Sequence, residues 1–336
     1  MVVNTTIKID IFLLNKNFMI ENIADELLKK IDEKGNPCCV GLDPVVEKIP
    51  PKFFVGDSFD DIAFGFTSFN YWIIDAICDL VPCVKPQIAF YEAYGVAGLV
   101  AFKATVDYAR RKGLIVIEDG KRADIGSTSE AYANGHLGVV RTSSGEEIPS
   151  LNVDLLTINP YLGSDGLTPF VEVCKNNGKG VFILAKTSNP SSGEYQDRLI
   201  EINEKEEREF DSIGIKICDK RTQLYNLVAL NVNKYAQKLI GKRGYSPIGA
   251  VVGATYPEQA IALRKIMPNS IFLVPGYGVQ GATAKDIINC FNNDGYGAVV
   301  NASRSIIYSS NPREATMKMI IDINTELRNA GKIPKY

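Results

Sequence analysis

Leu114-Ile-Val-Ile-Glu-Asp119-Gly-Lys-Arg-Ala-Asp124 is the stretch on which the reading of this chain turns. Its first part is a continuous apolar run, the pattern of a strand covered on both faces and so of a parallel sheet. The rest places two carboxylates and a lysine between positions 119 and 124. Alternate residues of an extended strand point the same way, so Asp119 and Lys121 project together and Asp124 follows as the chain turns. Ion pairs this dense at a strand end stabilise a fold inefficiently, but they build a fixed electric field well. A second lysine, Lys85, ends the preceding apolar strand in Leu80-Val-Pro-Cys-Val-Lys85.

Outward from that stretch, short β-rich runs alternate with longer helical patterns. Strands are predicted near 38–42, 80–85, 114–119, 154–158, 181–186, 248–253, 270–275 and 297–301. Helices are predicted near 21–34, 60–78, 92–111, 127–140, 165–177, 222–240, 257–267, 283–293 and 313–329. Eight β–α units predict an α/β fold, a closed (β/α)8 TIM barrel, with a doubly wound open sheet as runner-up. The 336 residues suit a single barrel domain over 19–336, since such barrels run this long as one domain. Residues 1–18 read as an N-terminal extension, with Met19 as an alternative start.

Residues 190–221 interrupt the rhythm after strand five and read as an insertion. Eight acidic residues against three basic ones lie between Glu194 and Asp211, which suits a solvated excursion. Alternation in Ser212-Ile-Gly-Ile-Lys-Ile217 favours a structured hairpin over the barrel mouth.

Composition narrows the function. A net charge of −2 argues against nonspecific binding to nucleic acid or anionic membranes. No apolar run approaches the roughly 18 residues of a membrane span, and Lys8, Asp10 and Lys16 break any secretory core. The seven cysteines are scattered without a CxxC, as expected of reduced core thiols in a cytoplasmic enzyme.

Active sites of α/β barrels lie at the carboxyl ends of the strands. Those ends carry Asp43, then Lys85 and Gln87, then Asp119, Lys121 and Asp124. Thr157 and Asn159 follow, then Lys186-Thr-Ser-Asn189, Pro275-Gly-Tyr-Gly-Val-Gln280 and Asn301-Ala-Ser-Arg304. Gly276-Tyr-Gly-Val-Gln-Gly281 imitates a dinucleotide fingerprint, but it sits late in the chain and lacks the acidic residue about 20 positions on. The loops after strands seven and eight are instead the usual phosphate site of a barrel, and Arg304 adds a planar cation for a phosphate monoester. A glycine turn beside a surface arginine is the plainer alternative. The one histidine, His136, lies in a helical pattern. No nucleophile elbow, HExxH, EF-hand or Walker A pattern appears, so no metal site is expected.

Gly-Leu-Asp-Pro at 41–44, Lys-Pro-Gln-Ile-Ala-Phe-Tyr-Glu at 85–92, Asp-Gly-Lys-Arg-Ala-Asp-Ile-Gly at 119–126, Lys-Thr-Ser-Asn-Pro at 186–190, Pro-Gly-Tyr-Gly-Val-Gln at 275–280 and Arg304 together resemble the orotidine 5'-monophosphate decarboxylases. The resemblance spans about residue 20 to 330, and the 190–221 segment resembles the larger-insert subgroup of some bacteria and protists. It implies conversion of orotidine 5'-monophosphate (OMP) to UMP and CO2 without a cofactor. It implies a charged array of Lys85, Asp119, Lys121 and Asp124, with Lys121 protonating C6 and Asp119 against the departing carboxylate. Asp43 and Lys85 would hold ribose hydroxyls, and Ser188 would hold the pyrimidine amide. Gln280 and Arg304 would hold the phosphate, with Gln87 and Gly278 as further substrate contacts. Asp124 and Thr128 would reach into the neighbouring site of a homodimer.

The chemistry agrees with that implication. Loss of CO2 leaves a carbanion at C6 with no carbonyl to delocalise it, so fixed charges must match the transition state better than the substrate. Rivals on the same barrel are Mg2+-dependent sugar-phosphate enzymes, which share Asp-x-Lys-x-x-Asp, and a lysine Schiff-base aldolase. A non-catalytic nucleotide sensor is a rival of another class.

Overall fold

All eight apolar runs form strands, and these close into one parallel barrel in a computed structural model that describes residues 22–278 and 283–334. The strands are β1 (Cys38–Leu42), β2 (Cys83–Pro86), β3 (Ile115–Arg122), β4 (Leu155–Ile158), β5 (Gly180–Lys186), β6 (Ser246–Val252), β7 (Ser270–Val274) and β8 (Ala298–Ala302). Each pairs with its neighbours in sequence, and β8 returns to β1 through Cys39 opposite Asn301. That seam is tight: a Cβ on Gly41 would fall 1.8 Å from Ser303 Oγ.

Alternation divides the continuous apolar strands between two cores. Cys39, Cys83, Ile115, Ile117, Leu155, Phe182, Leu273 and Val299 fill the barrel together with Leu27, Leu28 and Ile31 of α1 (Ile23–Lys34), which packs against this inner core. Their neighbours Cys38, Val84, Val116, Leu156, Val181, Phe272 and Val300 face the surrounding helices. Those helices are α2 (Phe59–Ile77), α3 (Gly95–Arg111), α4 (Gly126–His136), α5 (Ser164–Asn177), α6 (Leu224–Ala236), α7 (Pro257–Ile266) and α8 (Pro312–Asn329). Asn22 caps α1 through Ala24 N, and Ser58 with Asp61 forms a capping box on α2, satisfying donors that a helix start leaves unpaired.

Two predicted helices differ in the structure. The helix expected over 127–140 stops at His136, and Val139–Arg141 pairs antiparallel with Glu147–Pro149. β-Branched Val139 and Val140 favour that pairing, and Gly145, at φ 87°, supplies the turn. In the segment expected as a helix over 283–293, the described residues form turns and a short 3₁₀ helix, Ile288–Cys290. Asn289, Asn292, Asn293 and Gly295 are poor helix formers there.

Between β5 and α6, residues 190–194 form a 3₁₀ turn, and Leu199–Glu201 pairs with Arg221–Gln223 around a helix, Glu204–Ser212. The alternating stretch at 212–217 is not a strand. Gly214 turns at φ 75°, and Ile213, Ile215 and Ile217 lie partly buried against the core. Residues 1–18 lie outside the described residues.

Candidate active site

On four strands the inward row is apolar low in the barrel and polar at its carboxyl end. Cys83 gives way to Lys85, Ile117 to Asp119, Leu155 to Thr157 and Val299 to Asn301. These ends surround a cleft of ≈ 530 Å³ that is lined by Asp43, Lys85, Gln87, Asp119, Lys121, Ser188 and Arg304. Seven residues expected to act on one ligand are thus brought together.

Asp119 is the hub. One carboxylate oxygen accepts from Lys85 Nζ at 2.9 Å; the other accepts from Lys121 Nζ at 2.5 Å and from Thr157 Oγ1 at 3.0 Å. Burial pushes the Asp119 carboxyl up, but the fields of Lys85 and then Lys121 outweigh it and hold it well below the carboxylate range. Burial pushes Lys85 down, yet Asp119 and Asp43 hold its ammonium above the ordinary lysine value. The charged forms are therefore those the site keeps.

Lys121 departs from plain strand geometry. It takes a left-handed backbone, φ 47°, which is uncommon for a residue with a side chain. Its N–H donates to Thr157 Oγ1 at 3.0 Å. The Thr157 hydroxyl therefore fixes both the Asp119 carboxylate and the turn that carries Lys121. The Lys121 side chain is 46% exposed, against 5% for Lys85.

Across the cleft lie acceptors without partners. Asp43 Oδ1 and Asn301 Oδ1 are buried with no hydrogen bond among the described residues. An unpaired buried acceptor is costly, so both suit hydroxyl donors from a bound ligand. The Tyr308 hydroxyl donates to Asp43 O at 2.7 Å and accepts from Val45 N at 2.8 Å, locking the loop that carries Asp43. Burial pushes the Tyr308 phenol up to about 12, so it stays a donor. Beside them Gly276 (φ 99°), Ser303 and exposed Arg304 complete one end of the cleft. Sequence reasoning had Asn301 only as a polar strand end and missed Tyr308; a tyrosine four positions after Arg304 gave no signal of its own.

Three expected residues lie elsewhere. Asp124 and Thr128 do not line this cleft; Asp124 is half-buried and Thr128 exposed at the start of α4. Gly278 lines the adjacent cavity with Ser305 and Lys285. Gln280 lies outside the described residues. His136 is outside the site: its Nδ1 sits 2.7 Å from Glu118 Oε2, tying α4 to β3. Lys186 is wholly buried and lines no part of the cleft. Among the described residues no group of three or more His, Cys, Asp and Glu side chains is placed to hold a metal ion.

Residues 38–319 match the family model described as orotidine 5'-phosphate decarboxylase / HUMPS family. A protein named orotidine 5'-phosphate decarboxylase from Rhodopirellula baltica is 42% identical over 91% of this chain and 98% of its own length. One of the same name from Caldicellulosiruptor bescii is 39% identical over 86% of this chain and 90% of its own. The solved structure of Leishmania donovani OMP decarboxylase superposes with a TM-score of 0.64 at 27% identity, covering 91% of this chain and 98% of that one.

Proposed function

Because the chain belongs to the orotidine 5'-phosphate decarboxylase / HUMPS family, and so acts as a carboxy-lyase that converts OMP to UMP and CO2 in pyrimidine biosynthesis, we propose that Lys85, Asp119 and Lys121 drive the reaction by fixed charge. The supporting observation is the Lys85–Asp119–Lys121 array, in which one carboxylate bridges a buried and an exposed ammonium.

The C6–carboxylate bond breaks and its electron pair stays on C6. CO2 leaves, and the Lys121 ammonium transfers a proton to C6. Neutral Lys121 then regains a proton from water, which its exposure allows. Preorganised charge of this kind stabilises the transition state without reorganising during the step. The Asp119 carboxylate lies against the leaving group and holds the Lys121 ammonium in place. Asp43, Lys85 and Asn301 take ribose hydroxyls, and Ser188 with Gln87 contacts the remaining polar edge. Arg304, with Gly276 and the loop bearing Gly278 and Gln280, takes the phosphate. Its distant binding energy aligns the reacting carbon.

The proposal includes a homodimer in which Asp124 and Thr128 complete the neighbouring site. Both lie outside their own protomer's cleft, and the apolar side chains of Ile125, Tyr161 and Leu162 are exposed nearby. A cytoplasmic setting belongs to the same proposal. All seven cysteines are free thiols. Among the described residues, no helix is long and apolar enough to cross a membrane.

Ultraviolet absorbance of OMP, followed with purified protein and EDTA, tests the mechanism. Wild-type protein should consume OMP, while Lys121→Ala should lose turnover by about 10³-fold or more and still bind UMP. Near-normal turnover in that variant would remove Lys121 from the chemistry. Loss of wild-type activity with the chelator would favour a metal-dependent mechanism.

A further inference from the structure

Lys186 is the one strand-end lysine that does not enter the cleft, and the reason is a register shift. Inward Leu184 pairs with Val251, but Val252 pairs with Lys186, so one extra residue intervenes on β5. The bulge turns Lys186 away from the inward row of Phe182 and Leu184, as such insertions re-aim side chains. Its ammonium lies beneath residues 189–198, donating to Asp197 Oδ1 at 2.7 Å and Ser192 Oγ at 3.1 Å, and sits 4.3 Å from the Tyr256 ring centre. The lysine is 0% exposed and Asp197 is 38% exposed. A charge buried this way needs its partner.

The neighbour of Asp197 does enter the cleft. Gln196 lines it with Thr187, Ser188 and Asn189. Its Oε1 accepts from Thr187 N at 2.9 Å and its Nε2 donates to Thr187 Oγ1 at 2.8 Å. Those two bonds fix the amide plane and leave one N–H and one lone pair for a ligand. Gly253 lets the β6 end approach closely: a Cβ there would lie 2.8 Å from Ser188 Cα.

We propose that the Lys186–Asp197 pair is a positioning latch that holds the 189–198 strap, so that Gln196 and Ser188 form a preset amide-reading wall for the pyrimidine. This rests on the assignment of the pyrimidine to the Ser188 side of the cleft. The start of the insertion is then a fixed specificity element. Only the strap near Asp197 is pinned this way; the 204–212 helix, anchored through Phe210, plays no part.

The test compares UMP with ribose 5-phosphate, which keeps the sugar phosphate and lacks the base. Asp197→Asn should weaken UMP binding about tenfold and raise the OMP Michaelis constant similarly, because a small misplacement of a positioned group is costly. Ribose 5-phosphate affinity should stay within about twofold and kcat within about threefold. Gln196→Ala should give the same split. Lys186→Met tests the other partner; should it fail to fold, Asp197→Asn and Gln196→Ala carry the comparison. Equal weakening of both ligands would overturn the latch, as would a fall in the unfolding midpoint with unchanged UMP binding. Wild-type protein that binds UMP but consumes no OMP would contradict the decarboxylase mechanism, while the two-ligand comparison still decides the latch.

Discussion

At the scale of single residues, the site depends on hydroxyls as much as on charges. Thr157 is a small buried side chain that touches both Asp119 and the backbone of Lys121. Replacing it with valine keeps the volume and removes a donor and an acceptor at once. Thr157→Val should lower kcat by about 10- to 100-fold with little change in the Michaelis constant, because the reacting groups lose alignment and the phosphate contacts do not. Thr157→Ser should restore most of the rate. Steady-state kinetics on the pair decides it, and a rise in the Michaelis constant alone would show that Thr157 serves binding. The charged residues were legible in sequence because Asp-x-Lys-x-x-Asp after a buried strand has few structural uses. Thr157 was legible only as a polar strand end. Its double hydrogen bond depends on a left-handed turn at a lysine, which no propensity announces.

At the scale of elements, buried arginine does for the lower strand ends what Asp119 does at the top. Arg264 of α7 donates to the carbonyls of Met267, Ser270, Cys290 and Gly297 and stacks 3.6 Å over Phe272. Burial pushes its guanidinium down to about 10. It ties α7 to the starts of β7 and β8. Arg264→Met takes a donor from each of those carbonyls and should cost about 2–4 kcal/mol of unfolding free energy, read by urea denaturation, with kcat of the folded enzyme unchanged. A loss of activity without a loss of stability would link this tie to the site itself. The strands were legible from their unbroken apolar runs. The bulge at the end of β5 was not, because a one-residue slip in pairing leaves no mark in the apolar run while reversing which side chains face the cleft. The hairpin at 139–149 was missed for a related reason: a helical period ran up to its edge and outweighed the β-branched Val139-Val140 pair and the Ser-Ser-Gly turn.

At the scale of the whole molecule, the cleft carries Lys85, Asp119 and Lys121 from one chain, whereas Asp124 and Thr128 stand outside it. Mixing Lys121→Ala with Asp124→Ala protein separates a shared site from a self-contained one. In the proposed homodimer, each mixed pair contains one site free of both changes. Random exchange of two inactive variants should then recover about a quarter of wild-type activity, whereas self-contained sites recover none. The seam between β1 and β8 has a further consequence. Asp43 follows the first strand and Arg304 the last, and they share one cleft only where Gly41 admits Ser303. On a ribosome adding roughly 5–20 residues per second, the hub around Asp119 emerges early, while the ring can shut only after Arg304 has been made. In the proposed mechanism a nascent chain therefore carries Lys85, Asp119 and Lys121 for roughly 10–40 seconds before Arg304 exists to hold a phosphate, and a message cut short before β8 yields a chain whose ring cannot shut.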